Sequence, residues 1–310
     1  MSNQEENLKK FVENEEKTTG NVGAKIEDVS GIRKPWEKPE EQISLANQIG
    51  WQKIPIKDLP TQGLFYPEGT EILIRAAVSA EIRHWSTLND DDLSAMDDML
   101  NYVIERCAKV KFPQGVSSWR DIKEVDRFYI LLAIRELTFI DGENKLQVKT
   151  SETSKIDVTK DMIDYIKFDD RLMQYYDETL RNIVMNFKNG KRMMISIPSV
   201  GVTNWLKNYI NRKRQMNEVI DEDFISYAPF VVTEWRGLND DTYAKMVLDS
   251  HSWTAPEISM LVKIKEIFAD TIDPVVRYKD EEGGERTVPL SFQGGVKSIF
   301  VISDAFGQLV

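Results

Sequence analysis

The stretch "PLSFQGGVKSIF", Pro289 to Phe300, holds Gly294, Gly295, Lys297 and Ser298, the residue types from which a phosphate-binding loop is built. Such a loop needs G-x-x-x-x-G-K-[ST], so that backbone N–H groups cradle phosphates and the last hydroxyl reaches a metal ion. With Lys297 and Ser298 as the final pair, the two glycines would have to stand where Ser291 and Val296 do. The spacing excludes the motif. The stretch reads instead as the return strand of a hairpin ("ERTVPLSF"), a sharp change of direction at Gly294-Gly295, and an apolar run, "SIFVISDAF". That run must pack into the chain or present Ile299, Phe300 and Phe306 to a neighbour, with Lys297 as a rim charge.

The other chemistry-bearing residue types are no better arranged for catalysis. His84 and His251 are far apart and lack H-x-x-x-H spacing, so a metal site on them would need carboxylates that nothing singles out. The acidic clusters at 89–92, Asp97-Asp98, 221–223 and Asp240-Asp241 lack the alternate carboxylates, central glycine and twelfth-position glutamate of a calcium loop. They sit where helix N-caps are expected. No G-x-S-x-G elbow, no Cys/His pair and no G-x-G-x-x-G after a strand is present, and none of the carboxylates is marked as a glycosidase pair. The expectation is a protein with no catalytic residue, no metal and no cofactor. Cys107 is the one cysteine, which excludes an internal disulfide and reads as a small buried hydrophobe.

One region runs against the net charge of -11. Lys188, Lys191, Arg192, Lys207, Arg212, Lys213 and Arg214 fall within one hairpin and the helix after it, with Trp205 and Tyr209 among them. Basic residues interleaved with aromatics can hold nucleic acid by phosphate neutralisation and base stacking. The same residues also make a solvated helix face with core aromatics, or a surface for an acidic protein neighbour. The acidic whole makes nucleic acid the lesser expectation.

The elements that must position these groups follow from pattern. Residues 1–45 are rich in Glu, Lys, Asn and Gln and poor in large apolar side chains, which predicts a flexible charged arm. Its anchor is "GIRKPWEKP", where Trp36 either docks on a partner or folds back on the chain's own core. No apolar run reaches the roughly 18 residues that cross a bilayer, and the N-terminus has no apolar signal segment, so no membrane contact is expected. From Gly50 onward, "WQKIPI" and "TEILIRAAV" alternate as strands around a Pro/Gly turn. Helices are predicted over "SAMDDMLNYVIERCAKV", capped by Ser94 and Asp97, and over "SSWRDIKEVDRFYILLAIRELTF", capped by Ser118 and Asp121. A strand is predicted in "NKLQVKTS", and a hairpin in "RNIVMNFKNGKRMMISI" around Asn189-Gly190. "VTNWLKNYINRKRQM" and "TAPEISMLVKIKEIF" read as helices, the second with a Thr254/Glu257 capping box, and "PVVRYKDEEGGERTVPLSF" as a hairpin at Gly283-Gly284. The fold class expected is α+β, with an N-terminal domain at 46–150 and a C-terminal one at 151–310.

Two of these segments carry a resemblance. "LPTQGLFYPEGTEILIRAAVSAEIRHWSTLND" resembles the N-terminal signature of the baseplate hub and hub-assembly family of T4-like contractile-tailed bacteriophages, with Leu59, Pro60, Gly63, Tyr66, Pro67, Arg75 and Glu81 in its positions. "DRFYILLAIRELTF" resembles the second signature, a helix ending in I-R-x-x-T, through Asp126, Leu131, Arg135 and Thr138. The resemblance covers about 55–150; "ISIPSVGVTNWLKNYI", "YAPFVVTEWRGL" and the C-terminal stretch are similar to longer phage relatives. Some members carry a C-x-x-C after the second signature; "KLQVKTSETSKIDV" has no cysteine, which sets a zinc-ribbon role aside.

The resemblance implies a structural or assembly protein of a phage tail, in the virion baseplate or in the host cytoplasm during assembly. Its partners would be other tail and baseplate proteins, with self-association inside the assembly as a further contact. Seven tryptophans and a flexible arm suit a protein that works through interfaces. The expected partner-binding residues are Trp36, Tyr66, Trp205, Arg212, Lys213, Arg214, Phe300 and Phe306. A nucleic-acid accessory protein using 188–214 is the alternative, and a hub-associated cell-wall hydrolase ranks behind it.

Overall fold

The computed structural model describes residues 50–87, 92–139, 146–151, 154–164, 170–187, 190–272, 275–280, 283–289 and 299–300, all within one unit, Ile49–Val310. The expected arm with Trp36, the turn residues Lys188 and Asn189, Lys297 and Phe306 lie outside the described residues.

The first layer is an antiparallel sheet of β1 (Gln52–Ile54), β2 (Glu71–Ile74) and β3 (Ala108–Lys111), in register Ile54 to Ile72 and Ile72 to Val110. Alternation along β2 sends Ile72 and Ile74 inward, as the two-residue period of a strand requires. Helices α1 (Ser79–Ser86), α2 (Leu93–Cys107) and α3 (Arg127–Thr138) pack into the same core, with Trp85, Ile104, Ile130 and Leu131 fully enclosed. A hairpin of β4 (Gln147–Lys149) and β5 (Lys155–Asp157) and a short helix, α4 (Asp170–Met173), follow.

The second sheet is β6 (Tyr176–Asp177), β7 (Asn182–Asn186) and β8 (Arg192–Ile195), also antiparallel. Its Ile183, Met185 and Ile195 pack with Phe65, Phe230, Leu261 and Phe268. Helices α6 (Glu222–Val231) and α8 (Ala255–Ile272) pack on it, α5 (Val200–Gln215) and α7 (Asp240–Ser250) form a further core with α6, and β9 (Val275–Lys279) pairs with β10 (Glu285–Pro289). The fold is therefore mixed α+β. No helix among the described residues is long and apolar enough to cross a membrane.

Several predicted elements change on folding. Ser94 lies inside α2; Asp92 performs the capping, accepting from the Ala95 N–H at 3.1 Å, while Asp97 is drawn into an ion pair with Arg127. "CAKV" ends as strand β3, because pairing with β2 outweighs helix propensity there. The expected helix from Ser118 is broken: Ser118 and Asp121 cap one 3-10 turn, Ile122 turns extended, and Lys123 bridges to Ser199 before α3 begins at Arg127. Residues on both sides of position 150 share one core, in which Val158, Ile163, Val200, Val276, Ile299 and Phe300 join the residues of the first sheet. The cores are not divided at 150.

Candidate functional site

The two signature segments meet at Asp126. Its carboxylate is fully enclosed and accepts from the Thr61 N–H at 2.9 Å, the Thr61 hydroxyl at 2.7 Å and the Tyr66 hydroxyl at 2.7 Å. The Tyr66 oxygen in turn accepts from the Lys123 N–H at 2.9 Å. The turn between β1 and β2 fits this closely because Gln62 and Gly63 take positive φ, and a Cβ on Gly63 would press on Ile56 at 3.2 Å. Burial raises the Asp126 carboxyl to about 6 against the three hydrogen bonds that favour its charge. Burial, and then the Asp126 charge, hold the Tyr66 phenol well above its usual range.

A second contact closes the strand after this turn onto α1. Arg75 makes a forked pair with Glu81, and Glu81 also accepts from the Val78 N–H at 2.8 Å. Burial alone would raise the Glu81 carboxyl, but the bonds from Arg75 and Val78 outweigh it and keep it below the usual carboxylate range. The Thr138 hydroxyl, at the end of α3, accepts from the Ala77 N–H at 2.9 Å.

Beside Asp126 lies a polar cleft of about 210 Å³, lined in part by Asp121, Lys123, Arg181, Ser199, Trp235 and Arg236. Asp121 accepts from the Ser118 N–H at 2.7 Å, the Trp235 indole N–H at 2.8 Å and the Arg236 guanidinium at 2.7 Å. The indole is seated on Gly201, where a Cβ would come within 2.5 Å of its ring. Lys123 is 8% exposed, and its ammonium donates to the Ser196 hydroxyl at 3.3 Å and the Ile197 carbonyl at 3.2 Å. Burial lowers it to about 8, against the pull of Asp126, Asp121 and Glu234. A larger groove of about 400 Å³ lies between β8 and helices α7 and α8, with Met193, Met194, Met246 and Trp253 in its lining.

The expected partner-binding residues fall in different places. Tyr66 is 1% exposed and spends its hydroxyl on Asp126, so it belongs to the core. Phe300 is likewise 1% exposed, edge-on to Trp85 at 4.9 Å, and is a core residue. Trp205 and Tyr209 stack on each other at 5.1 Å and both lean on Tyr243. Of the basic residues, Lys207 pairs with Asp97 and Asp98, Arg212 with Asp240, and Lys213 with Glu218. Arg214 is exposed on the last turn of α5. Most of the positive charge in this region is thus spent within the chain, and Trp205 and Tyr209 are half-buried against each other and Tyr243.

Sequence reasoning passed over Lys123, Asp121, Trp235 and Arg236. Asp121 reads as a helix cap alone, and Trp235 and Arg236 only as part of "YAPFVVTEWRGL", so none of the four is singled out as a site residue. Among the described residues no group of three or more His, Cys, Asp or Glu side chains is placed to hold a metal ion. No family model matches the chain, and no curated protein or solved structure matches it.

Proposed function

We propose that this chain is a structural or assembly component of a contractile phage tail, a baseplate hub subunit or hub-assembly factor that acts through protein contacts. The observation that carries the reading is that the residues behind the resemblance are one another's partners: Tyr66 with Asp126, Arg75 with Glu81, and the Ala77 N–H with Thr138. Support also comes from the buried acids. Asp121, Asp126, Glu81 and Glu257 all accept hydrogen bonds from the chain itself, so their charge is spent on architecture.

Mass spectrometry of purified virions of the source phage tests the proposal. A hub subunit is recovered there in fixed ratio to other tail proteins. An assembly factor is missing from virions but co-purifies with tail intermediates from infected cells. Absence from both overturns the reading.

A further inference from the structure

Lys123 is a buried cation for which the described residues supply no contacting carboxylate. Among the described residues it forms no ion pair within 4.0 Å; two neutral oxygens, of Ser196 and Ile197, accept from its ammonium. An ammonium has three protons to donate, and a buried charge without a counter-ion is costly. The three acids whose charge acts on Lys123 are engaged elsewhere: Asp126 with Thr61 and Tyr66, Asp121 with Ser118, Trp235 and Arg236, and Glu234 with Arg236.

Lys123 also lines the polar cleft of about 210 Å³. Arg181 and Arg236 line it with Lys123, and its two carboxylates, Asp121 and Glu234, both pair with Arg236, which leaves Lys123 and Arg181 as the cations of the wall that neither carboxylate pairs with. Asn182, Ser199 and Thr233 add neutral donors. Ser199 is also the N-cap of the 16-residue α5, whose N-terminal end is positive. Among the described residues the ion pair of Arg181 is with Glu68 at 3.6 Å, and the Glu68 side chain is 90% exposed, so the pair is a weak surface one.

We propose that this cleft binds one small oxyanion, a sulfate, phosphate or carboxylate group, which provides the counter-charge for Lys123. The group is either a free ion or the side chain of a glutamate or aspartate on a partner protein. The inference does not depend on the proposed tail function.

Calorimetric titration of the full chain with sodium sulfate, and separately with a blocked tripeptide carrying a single glutamate, tests it at constant ionic strength. Saturable sulfate binding alone supports a free tetrahedral ion, and saturable peptide binding supports a partner's carboxylate. Lys123→Met, checked for folding by circular dichroism, is expected to abolish saturation. Arg181→Asn keeps the positive φ that asparagine tolerates and is expected to weaken binding about tenfold, the loss of one charge-assisted contact. If neither titrant saturates, or if both variants bind as the parent does, the pocket is not an oxyanion site.

Discussion

The Tyr66 hydroxyl donates to the Asp126 carboxylate at 2.7 Å across 60 residues of sequence, while the same oxygen accepts from the Lys123 N–H at 2.9 Å. One phenol therefore ties the turn between the first two strands to the entry of α3. Because the oxygen is enclosed, removing it leaves a carboxylate one donor short and a backbone N–H without its acceptor. Unsatisfied buried groups cost about 1–3 kcal/mol each.

Tyr66→Phe is accordingly expected to destabilise the chain by about 2–4 kcal/mol, counting one lost bond on each side of the oxygen. Urea denaturation measures it. A loss below about 0.5 kcal/mol, the range of ordinary surface substitutions, would show that the phenol is a bystander.

The seat of Trp235 makes a second test. A methyl group on Gly201 would lie 2.5 Å from the indole ring, on a helix that cannot retreat because Val200 and Ser199 are buried beside it. Overpacking of this kind costs about 1–3 kcal/mol, so Gly201→Ala should lower the urea midpoint without changing the slope. In a Trp235→Leu background the same alanine should cost less, because the ring it strikes is gone. Additive losses would mean that the two residues do not press on each other.

How much of this was legible depended on distance along the chain. The pairing of β7 with β8 and the bond from the Thr254 N–H to the Glu257 carboxylate at the start of α8 are local patterns, and the chain forms both. The break at Ile122 was not legible, because what extends the backbone there is the bridge from Lys123 to Ser199, a partner far downstream. The same holds for Asp121, which reads as a helix cap and does cap a turn, yet also holds Trp235 and Arg236. The pairing of Tyr66 with Asp126 is fixed by packing that no window of local periodicity contains.

Cys107 offers a cheap probe of the first core. Its thiol is fully enclosed, and burial pushes it up to about 12, with Glu81 nearby adding to the rise and Arg75 opposing it. The thiolate is the reactive form, so at neutral pH the native chain should resist thiol-specific reagents and react only as it opens. Labelling with Ellman's reagent should be slow in buffer and complete within the mixing time in concentrated urea. Rapid labelling of the native chain would place Cys107 in a mobile or accessible site.

Lys123 and Asp126 should leave a signature in the pH dependence of stability. Lys123 is about 8 in the folded chain, below its unfolded value, so between about 8 and 10.4 the unfolded chain binds more protons and stability rises with pH. Asp126 is about 6, above its unfolded value, so between about 3.9 and 6 the folded chain binds more protons and stability falls as pH rises. Both groups are charged between those limits, where the cost of their burial is greatest. Around them stand Tyr66, Thr61, Ser196, the Ile197 carbonyl, Asp121 and Glu234, all of which are retained in a Lys123→Met/Asp126→Asn double variant. The stability of the parent minus that of the double variant should therefore be lowest near pH 7 and rise by about 1–3 kcal/mol toward both pH 4.5 and pH 9.5. Urea denaturation at the three pH values reads the difference directly, and a difference that stays flat would mean that neither group titrates abnormally in the folded chain.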